Sequence, residues 1–242
     1  MTDLRFDRDA IGGHAMRVIV FGATGMVRQG VVRECLLDPA VESVLAIGRT
    51  ASGNEHAKLQ ERVLEDVTAL SSVEGDLEGR DACFFCLGVS SAGMSEADYR
   101  RLTYDLTLSV ARTLLKASPG MTFIYVSGTG TDSTAHGRSM WARVKGETEN
   151  ALRAMPFKAT YMFRPGFIQP LHGIVSKTKL YRVLYAVVGP LYPLWRVLLP
   201  RYVTTTEQVG RAMIEVARAG APKPVLENGD INALASRAAL PA

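Results

Sequence analysis

Apolar residues alternate between two periods along most of the chain. Val18, Ile19, Val20 and Phe21 form one continuous apolar run, as a strand buried on both faces does. After Gly22-Ala-Thr-Gly25, apolar positions recur at helical spacing through Val27, Val31, Val32, Leu36 and Leu37. Strand-like runs follow at 43–47, 62–64, 82–87, 122–126, 159–163 and 224–226. Helical stretches lie at 95–118, 139–155 and 207–219. In the first of these Ser95 is the expected cap, and Tyr99, Leu102, Leu106, Val110 and Leu114 are the expected buried stripe. Pro119-Gly120 ends it. This order predicts an α/β domain built on a parallel sheet.

One stretch breaks the alternation. Ile168 to Tyr202 carries Pro170, Pro190, Pro193 and Pro200 among leucines, valines and aromatics. Residues 150–206 hold eight Lys and Arg and no Asp or Glu. Arg182, Arg196 and the prolines interrupt the apolar run, so it does not read as a spanning helix. It reads as a cap over the sheet's C-terminal edge, as a positively lined substrate lid, or, over 174–202, as a peripheral membrane contact. The expected organisation is a tail at 1–15, a dinucleotide-binding unit at 16–167, the cap at 168–204, and a helix and strand at 205–242 that pack back.

Composition narrows the class. The 242 residues are 47% hydrophobic and 21% charged, in the range of a soluble globular domain. A net charge of +4 is too small to argue for nucleic acid. Three cysteines, Cys35, Cys83 and Cys86, make no disulfide framework. Cys83 and Cys86 lie three apart in a strand-like run and so point to opposite faces, which favours packing over metal binding. The N-terminus is rich in Asp and Arg and has no apolar core of a signal peptide; a cytoplasmic protein is expected.

The chemistry concentrates at residues 17–30. A strand, a glycine turn and a helix N-terminus form the phosphate-binding corner of a Rossmann unit. Gly22 permits the tight turn, Gly25 lets the backbone approach a pyrophosphate, and the first free N–H groups of the helix face the anion. Arg28 stands where the third glycine of the fingerprint is expected. A side chain there is expected to crowd the helix against the strand and weaken cofactor binding, its end escaping toward the cleft or solvent.

Several further features come in a fixed order. Gly48-Arg49 follows the second strand, Asp66-Val67 the third, Cys86-Leu87-Gly88 the fourth and Ser127 the fifth; Lys145 lies on a helix and Arg164-Pro165-Gly166 follows the sixth strand. Together they resemble the atypical or extended branch of the short-chain dehydrogenase/reductase superfamily, with Tat-interacting-protein-like and NmrA-like members nearest. The resemblance covers about 16–166 and implies a doubly wound parallel Rossmann sheet, here with a small apolar, basic C-terminal cap. It implies that Gly22, Thr24, Gly25 and Met26 cradle the pyrophosphate, with Arg28 beside them. Asp66 and Val67 would flank the adenine, Leu87 and Gly88 the ribose, and Pro165 and Gly166 the nicotinamide. Arg49 stands where such folds place an acid for the ribose hydroxyls, and a guanidinium there suits a 2′-phosphate. NADP is therefore expected, with NAD as the alternative.

The catalytic motif departs from the family. Its reductases use a serine and a tyrosine four residues before a lysine, so that both share one helical face. Ser127 and Lys145 are present, but Trp141 stands at the tyrosine's place. An indole N–H donates a hydrogen bond but has no usable acidity. His136 and His172 are the titratable candidates to replace it. Tyr104, Tyr125 and Tyr161 read as core. The expected function is an NADP(H)-dependent oxidoreductase acting on a small apolar substrate, with a non-catalytic dinucleotide-binding sensor or assembly protein as the alternative.

Overall fold

The computed structural model describes residues 15–22, 25–174 and 201–238. The apolar run before the glycine turn is strand β1 (Met16–Phe21), and helix α1 (Met26–Leu37) follows it. Next come β2 (Val41–Gly48), β3 (Leu59–Val63), a short helix α2 (Glu74–Leu77) and β4 (Ala82–Phe85). Helix α3 (Glu96–Arg100) passes through a π turn (Arg101–Asp105) into α4 (Leu106–Ala117). Then follow β5 (Thr122–Val126), α5 (Met140–Arg153), β6 (Ala159–Arg164) and β7 (Phe167–Gln169). The chain closes with β8 (Val203–Thr205), α6 (Thr206–Ala219), β9 (Val225–Glu227) and α7 (Asn228–Ala238).

Seven strands form one parallel sheet in the order β3-β2-β1-β4-β5-β6-β9. Chain direction across the sheet reverses between β1 and β4, and the crevice at the C-terminal ends of those strands is where open α/β sheets take ligands. One face buries Val18, Val20, Val44 and Phe84 beneath α1, α6 and α7. The other buries Ile19, Phe21, Leu45, Phe85 and Phe123 beneath α4 and α5, with Phe21, Phe85 and Phe123 stacked at 5.6 and 5.8 Å. Cys83 lies on the second face and Cys86 against the first, as their spacing predicts.

Several details differ from the pattern read along the sequence. Strand β3, expected at 62–64, begins at Leu59 and ends at Val63, because its first residues form no apolar run to mark them. Ser95 does cap its helix, accepting from Asp98 N at 3.1 Å. The stripe then fails at Leu102, which is 38% exposed, because the π turn inserts one residue per turn. Thr103 and Thr107 take the buried positions instead. Strand β4 ends at Phe85, so Leu87 lies beyond it in a loop. Helix α7 and the small β7–β8 sheet were not anticipated; both are too short or too polar to show a period.

The segment expected as a cap begins and ends side by side. Phe167 registers with Val203 and Gln169 with Thr205 in a parallel pair. Gly166 is required at the entrance, because a Cβ there would lie 2.3 Å from the Tyr202 carbonyl oxygen. The apolar, basic residues 175–200, and the tail at 1–14, lie outside the described residues. Among the described residues no helix is long and apolar enough to cross a membrane. Helices α1 and α6 cross closely: a Cβ on Gly30 would lie 2.5 Å from Thr206 Cβ and 2.8 Å from its carbonyl oxygen.

Candidate functional site

The glycine turn sits at the C-terminal end of β1, next to the crevice. Gly22 is buried and donates its N–H to the Ile47 carbonyl at 3.1 Å. Gly25 is the N-cap of α1, with extended backbone and no side chain to cap the helix. The N–H groups of the first turn are therefore left for an external acceptor, with Met26 at its start. Thr24 lies outside the described residues.

Arg28 behaves differently from the expectation. Its Cβ packs on Gly22, lying 3.0 Å from where a Gly22 Cβ would be. The side chain is only 2% exposed and reaches neither the cleft nor solvent. Its Nη2 instead donates to Glu61 Oε1 on β3 at 2.8 Å. The row of residues that pair across this part of the sheet is Val20, Ala46 and Glu61, so only a methyl group stands between β1 and the acid. Burial raises the Glu61 carboxyl, but hydrogen bonds from Arg28 and Ser52 outweigh it and hold the group below its ordinary range.

Arg49 is exposed just past β2 and has no hydrogen-bond or ion-pair partner among the described residues. Asp66 is exposed and spends its carboxylate on the Thr68 hydroxyl and N–H at 2.7 and 2.9 Å, which lowers its pKa. Val67 is buried beside it. Leu87 packs on the α4–α5 face, and Gly88 is exposed with open space around its Cα. These residues and the bare N-terminus of α1 fit a dinucleotide laid across the crevice; Arg28, folded under the turn, is the departure.

At the other side of the crevice, Ser127 is 1% exposed and its hydroxyl donates to the Phe163 carbonyl at 3.2 Å. Lys145 Nζ donates to the Ser127 carbonyl. Trp141 lies one turn earlier on α5, and its ring edge would be 3.2 Å from a Cβ on Gly130, a left-handed position at φ 86°. Desolvation brings the Lys145 ammonium down to about 8, although Glu149 pulls it upward. Two cross-links, Arg100 to Glu147 and Arg143 to Glu96 at 2.7 Å, tie α5 to α3.

Glu149 continues the face of α5 that carries Trp141 and Lys145. It is 1% exposed and holds Arg164 through both oxygens, Arg164 Nε to Oε1 being 2.9 Å. Arg164 also reaches Glu227 at 3.2 Å and Ser133 Oγ at 2.5 Å. The Pro165-Gly166 turn is thus anchored to α5 from one side. From the other, Asn228 accepts from Gly166 N at 2.9 Å and donates to the Val203 carbonyl at 3.0 Å. Arg164 stands in the sequence only as part of the Arg164-Pro165-Gly166 motif, and Glu149 and Asn228 are not marked there; the i+4 spacing of Glu149 from Lys145 is the available signal.

An open cavity of about 360 Å³ adjoins this turn, lined by Thr129, Arg201, Tyr202, Glu227, Asn228 and Asp230. Its described walls mix polar groups with a somewhat larger share of apolar surface. His136 is exposed in the loop before α5. His172 is committed elsewhere: its Nε2 lies 2.8 Å from Glu207 on α6, across the sheet from Lys145. Glu34, His172 and Glu207 bring their ligand atoms within 4.8 Å of one another. Arg211 already occupies both acids, at 3.1 and 2.9 Å, so the group is an ion-pair network between α1 and α6.

The depressed Lys145 pKa has a consequence for stability. The folded protein sheds this proton near pH 8, whereas the unfolded chain holds it to about its ordinary 10.5. Between these values the unfolded chain binds more protons, so stability rises with pH. The thiols of Cys35, Cys83 and Cys86, which burial pushes up, contribute the opposite slope above the ordinary thiol range. The Lys145 contribution is therefore read as a difference: in urea unfolding from pH 7.5 to 10, stability should rise with pH relative to Lys145→Met.

No family model matches the chain. Protein fmp52 of Emericella nidulans, named as mitochondrial, is 30% identical over 158 residues, covering 62% of this chain and 66% of that protein. The chain thus spans just under two thirds of that relative. Protein fmp52-2 of Aspergillus terreus, also named as mitochondrial, is 25% identical over 82% of this chain and 85% of its own length. These names overturn the expectation of a cytoplasmic protein, which rested on the absence of a recognisable leader.

Three solved structures share the architecture. A short chain dehydrogenase family protein from Francisella tularensis superposes with a TM-score of 0.60 at 14% identity, covering 89% of this chain and 99% of its own. WbmF from Bordetella bronchiseptica, solved with NAD+, gives 0.63 at 15%, covering 92% and 78%. L-Sorbose reductase from Gluconobacter frateurii, solved with NADPH and L-sorbose, gives 0.64 at 12%, covering 90% and 98%. The chain has the α/β Rossmann fold of the short-chain dehydrogenases/reductases, and the resemblance read from its motifs is borne out at that level.

Proposed function

We propose that the protein binds NADP(H) and acts as an oxidoreductase on a small apolar substrate, without a catalytic tyrosine. The observation that carries this reading is a pair of cations at the C-terminal edge of the sheet: Arg49 past β2, without a partner among the described residues, and Lys145 of α5, whose Nζ meets the Ser127 carbonyl just past β5. Neighbours of the same fold were solved with NAD+ and with NADPH, which makes either dinucleotide a suitable probe. The glycine turn and α1 N-terminus would hold the pyrophosphate, Arg49 the 2′-phosphate, and Leu87, Gly88, Pro165 and Gly166 the ribose and nicotinamide.

The reduced dinucleotide, when bound, supplies a hydride. Lys145 is the chain's contribution to the charge that the substrate oxygen then carries. Its ammonium is fixed by the Ser127 carbonyl, stabilises an anion next to it, and with a pKa of about 8 can also give up a proton near neutrality. Trp141 orients the substrate by stacking. A quinone suits this site, since accepting a hydride turns it into a hydroquinone monoanion whose phenolate oxygen is a stabilised anion until it takes up a proton.

A second reading, a non-catalytic dinucleotide-binding sensor or assembly protein, is favoured by one observation. The Ser127 hydroxyl donates to the sheet and is not turned outward. Calorimetric titration with NADPH and NADH, followed by NADPH oxidation with a naphthoquinone, separates the two readings. A charge-assisted contact from Arg49 should favour NADPH by about tenfold or more, and Arg49→Ala should erase that preference while leaving NADH nearly unchanged. Equal affinities in the unmodified protein would sink the cofactor assignment; binding without quinone turnover would favour the sensor.

A further inference from the structure

Glu61 joins two parts of the chain that the sequence presents separately. One is the phosphate turn, through Arg28, whose side chain packs on Gly22 and whose Nη2 lies 2.8 Å from Glu61 Oε1. The other is the loop that leaves β2. Ser52 N lies 3.1 Å from Oε1 and 3.0 Å from Oε2 of the same carboxylate. Arg49 stands between the end of β2 at Gly48 and this fixed point, three residues before Ser52. Gly48 itself is held, because its carbonyl accepts from Leu64 N at 2.9 Å. The guanidinium of Arg49, without a partner among the described residues, is therefore presented by backbone pinned on both sides.

The charges are arranged to the same end. A lone carboxylate bonded to the Arg49 loop would work against a 2′-phosphate held by Arg49. Arg28 is 2% exposed and Glu61 17% exposed, so the two charges cancel within a shielded pair. Among the described residues, Arg49 is left as the uncompensated charge of that corner. This also accounts for an arginine where the fingerprint asks for glycine: it is the neutralising half of the brace.

Resting on the cofactor reading above, we propose that Glu61 is a positioning residue for dinucleotide selection, holding the Arg49 loop through Ser52 while Arg28 neutralises it. Glu61 touches no part of the cofactor. Its effect passes through the loop, whose ordering would otherwise be paid on binding.

The test is calorimetric titration of the full chain with NADPH and with NADH, for the unmodified protein, Glu61→Gln, Arg49→Ala and the double variant. Glu61→Gln should weaken NADPH by about three- to tenfold, the scale of a loosened charge-assisted contact, with NADH within about twofold. The double variant should bind NADPH no worse than Arg49→Ala alone, because one residue acts through the other. Ser52→Pro, which deletes the donated N–H and leaves the Arg28–Glu61 pair intact, should reproduce the loss and serves if Glu61→Gln folds poorly. An unchanged NADPH/NADH ratio in both variants, an equal loss for both dinucleotides, or additive losses in the double variant would overturn the proposal. An unmodified protein with no NADPH preference fells the cofactor reading and this proposal with it, whereas a preference that survives Glu61→Gln and Ser52→Pro fells the proposal alone.

Discussion

Glu149→Ala should cost the protein about 3–5 kcal/mol, the usual penalty for stranding one member of a buried ion pair. For a domain of this size that is a fall in Tm of about 6–20 °C. Glu149 is 1% exposed and the Arg164 side chain 11% exposed, so water can replace little of what is lost. Arg164 would keep Glu227, half exposed and at 3.2 Å, as its remaining acid. The damage should come from the stranded charge more than from a missing attraction. A paired replacement, Glu149→Leu with Arg164→Met, should therefore be less harmful than Glu149→Ala alone. Lys145 offers an independent readout. Glu149 is the charge that opposes its desolvation, so its proton should leave at a lower pH in Glu149→Ala. A variant as stable as the parent, by urea unfolding, would show that the pair does not brace the turn at Pro165.

The second large effect is expected at Gly146. It faces the loop that follows Ser127, and a Cβ there would lie 1.7 Å from the Asp132 carbonyl oxygen and 2.5 Å from its carbon. Backbone cannot rotate away as a side chain end can. The loop must lift from α5, losing the hydrogen bond from Asp132 N to the Ala142 carbonyl at 3.1 Å. Gly146→Ala should cost about 3 kcal/mol, the upper end of overpacking, even though alanine is the better helix former. Gly75→Ala is the control: nothing lies within 4 Å of its Cβ position, and its melting temperature should not fall. Equal melting temperatures for the two variants would contradict the tight loop contact.

The sequence made the main frame legible because strands buried on both faces read as unbroken apolar runs. β1, β4 and β5 were visible for that reason, and the turn at Gly22 was visible because backbone approach demands glycine. What escaped notice depended on contacts between distant parts of the chain. Leu102 fits the helical stripe, yet the π turn rotates it outward, and no period in the sequence marks one inserted residue. Gly146 and Gly166 look like ordinary glycines until Asp132 and Tyr202 are seen against them. Arg28 was legible as a departure from the fingerprint, but its destination depended on Glu61, thirty-three residues away on a strand pairing that had to be seen. Glu149 was hidden by convention: a charged residue on a helix is usually solvated, and only Arg164 from β6 explains its burial.

The close crossing of α1 and α6 links the two ends of the crevice mechanically. Thr206 is seated on Gly30 without room for a methyl group, and it follows directly on β8, which pairs with β7 immediately after the Pro165-Gly166 turn. Helix α1 and the Pro165-Gly166 turn thus ride on one bearing. A shift of α1 would be carried through Thr206 to the β7–β8 pair, so the two sides of the crevice are one packed block, not two independent walls.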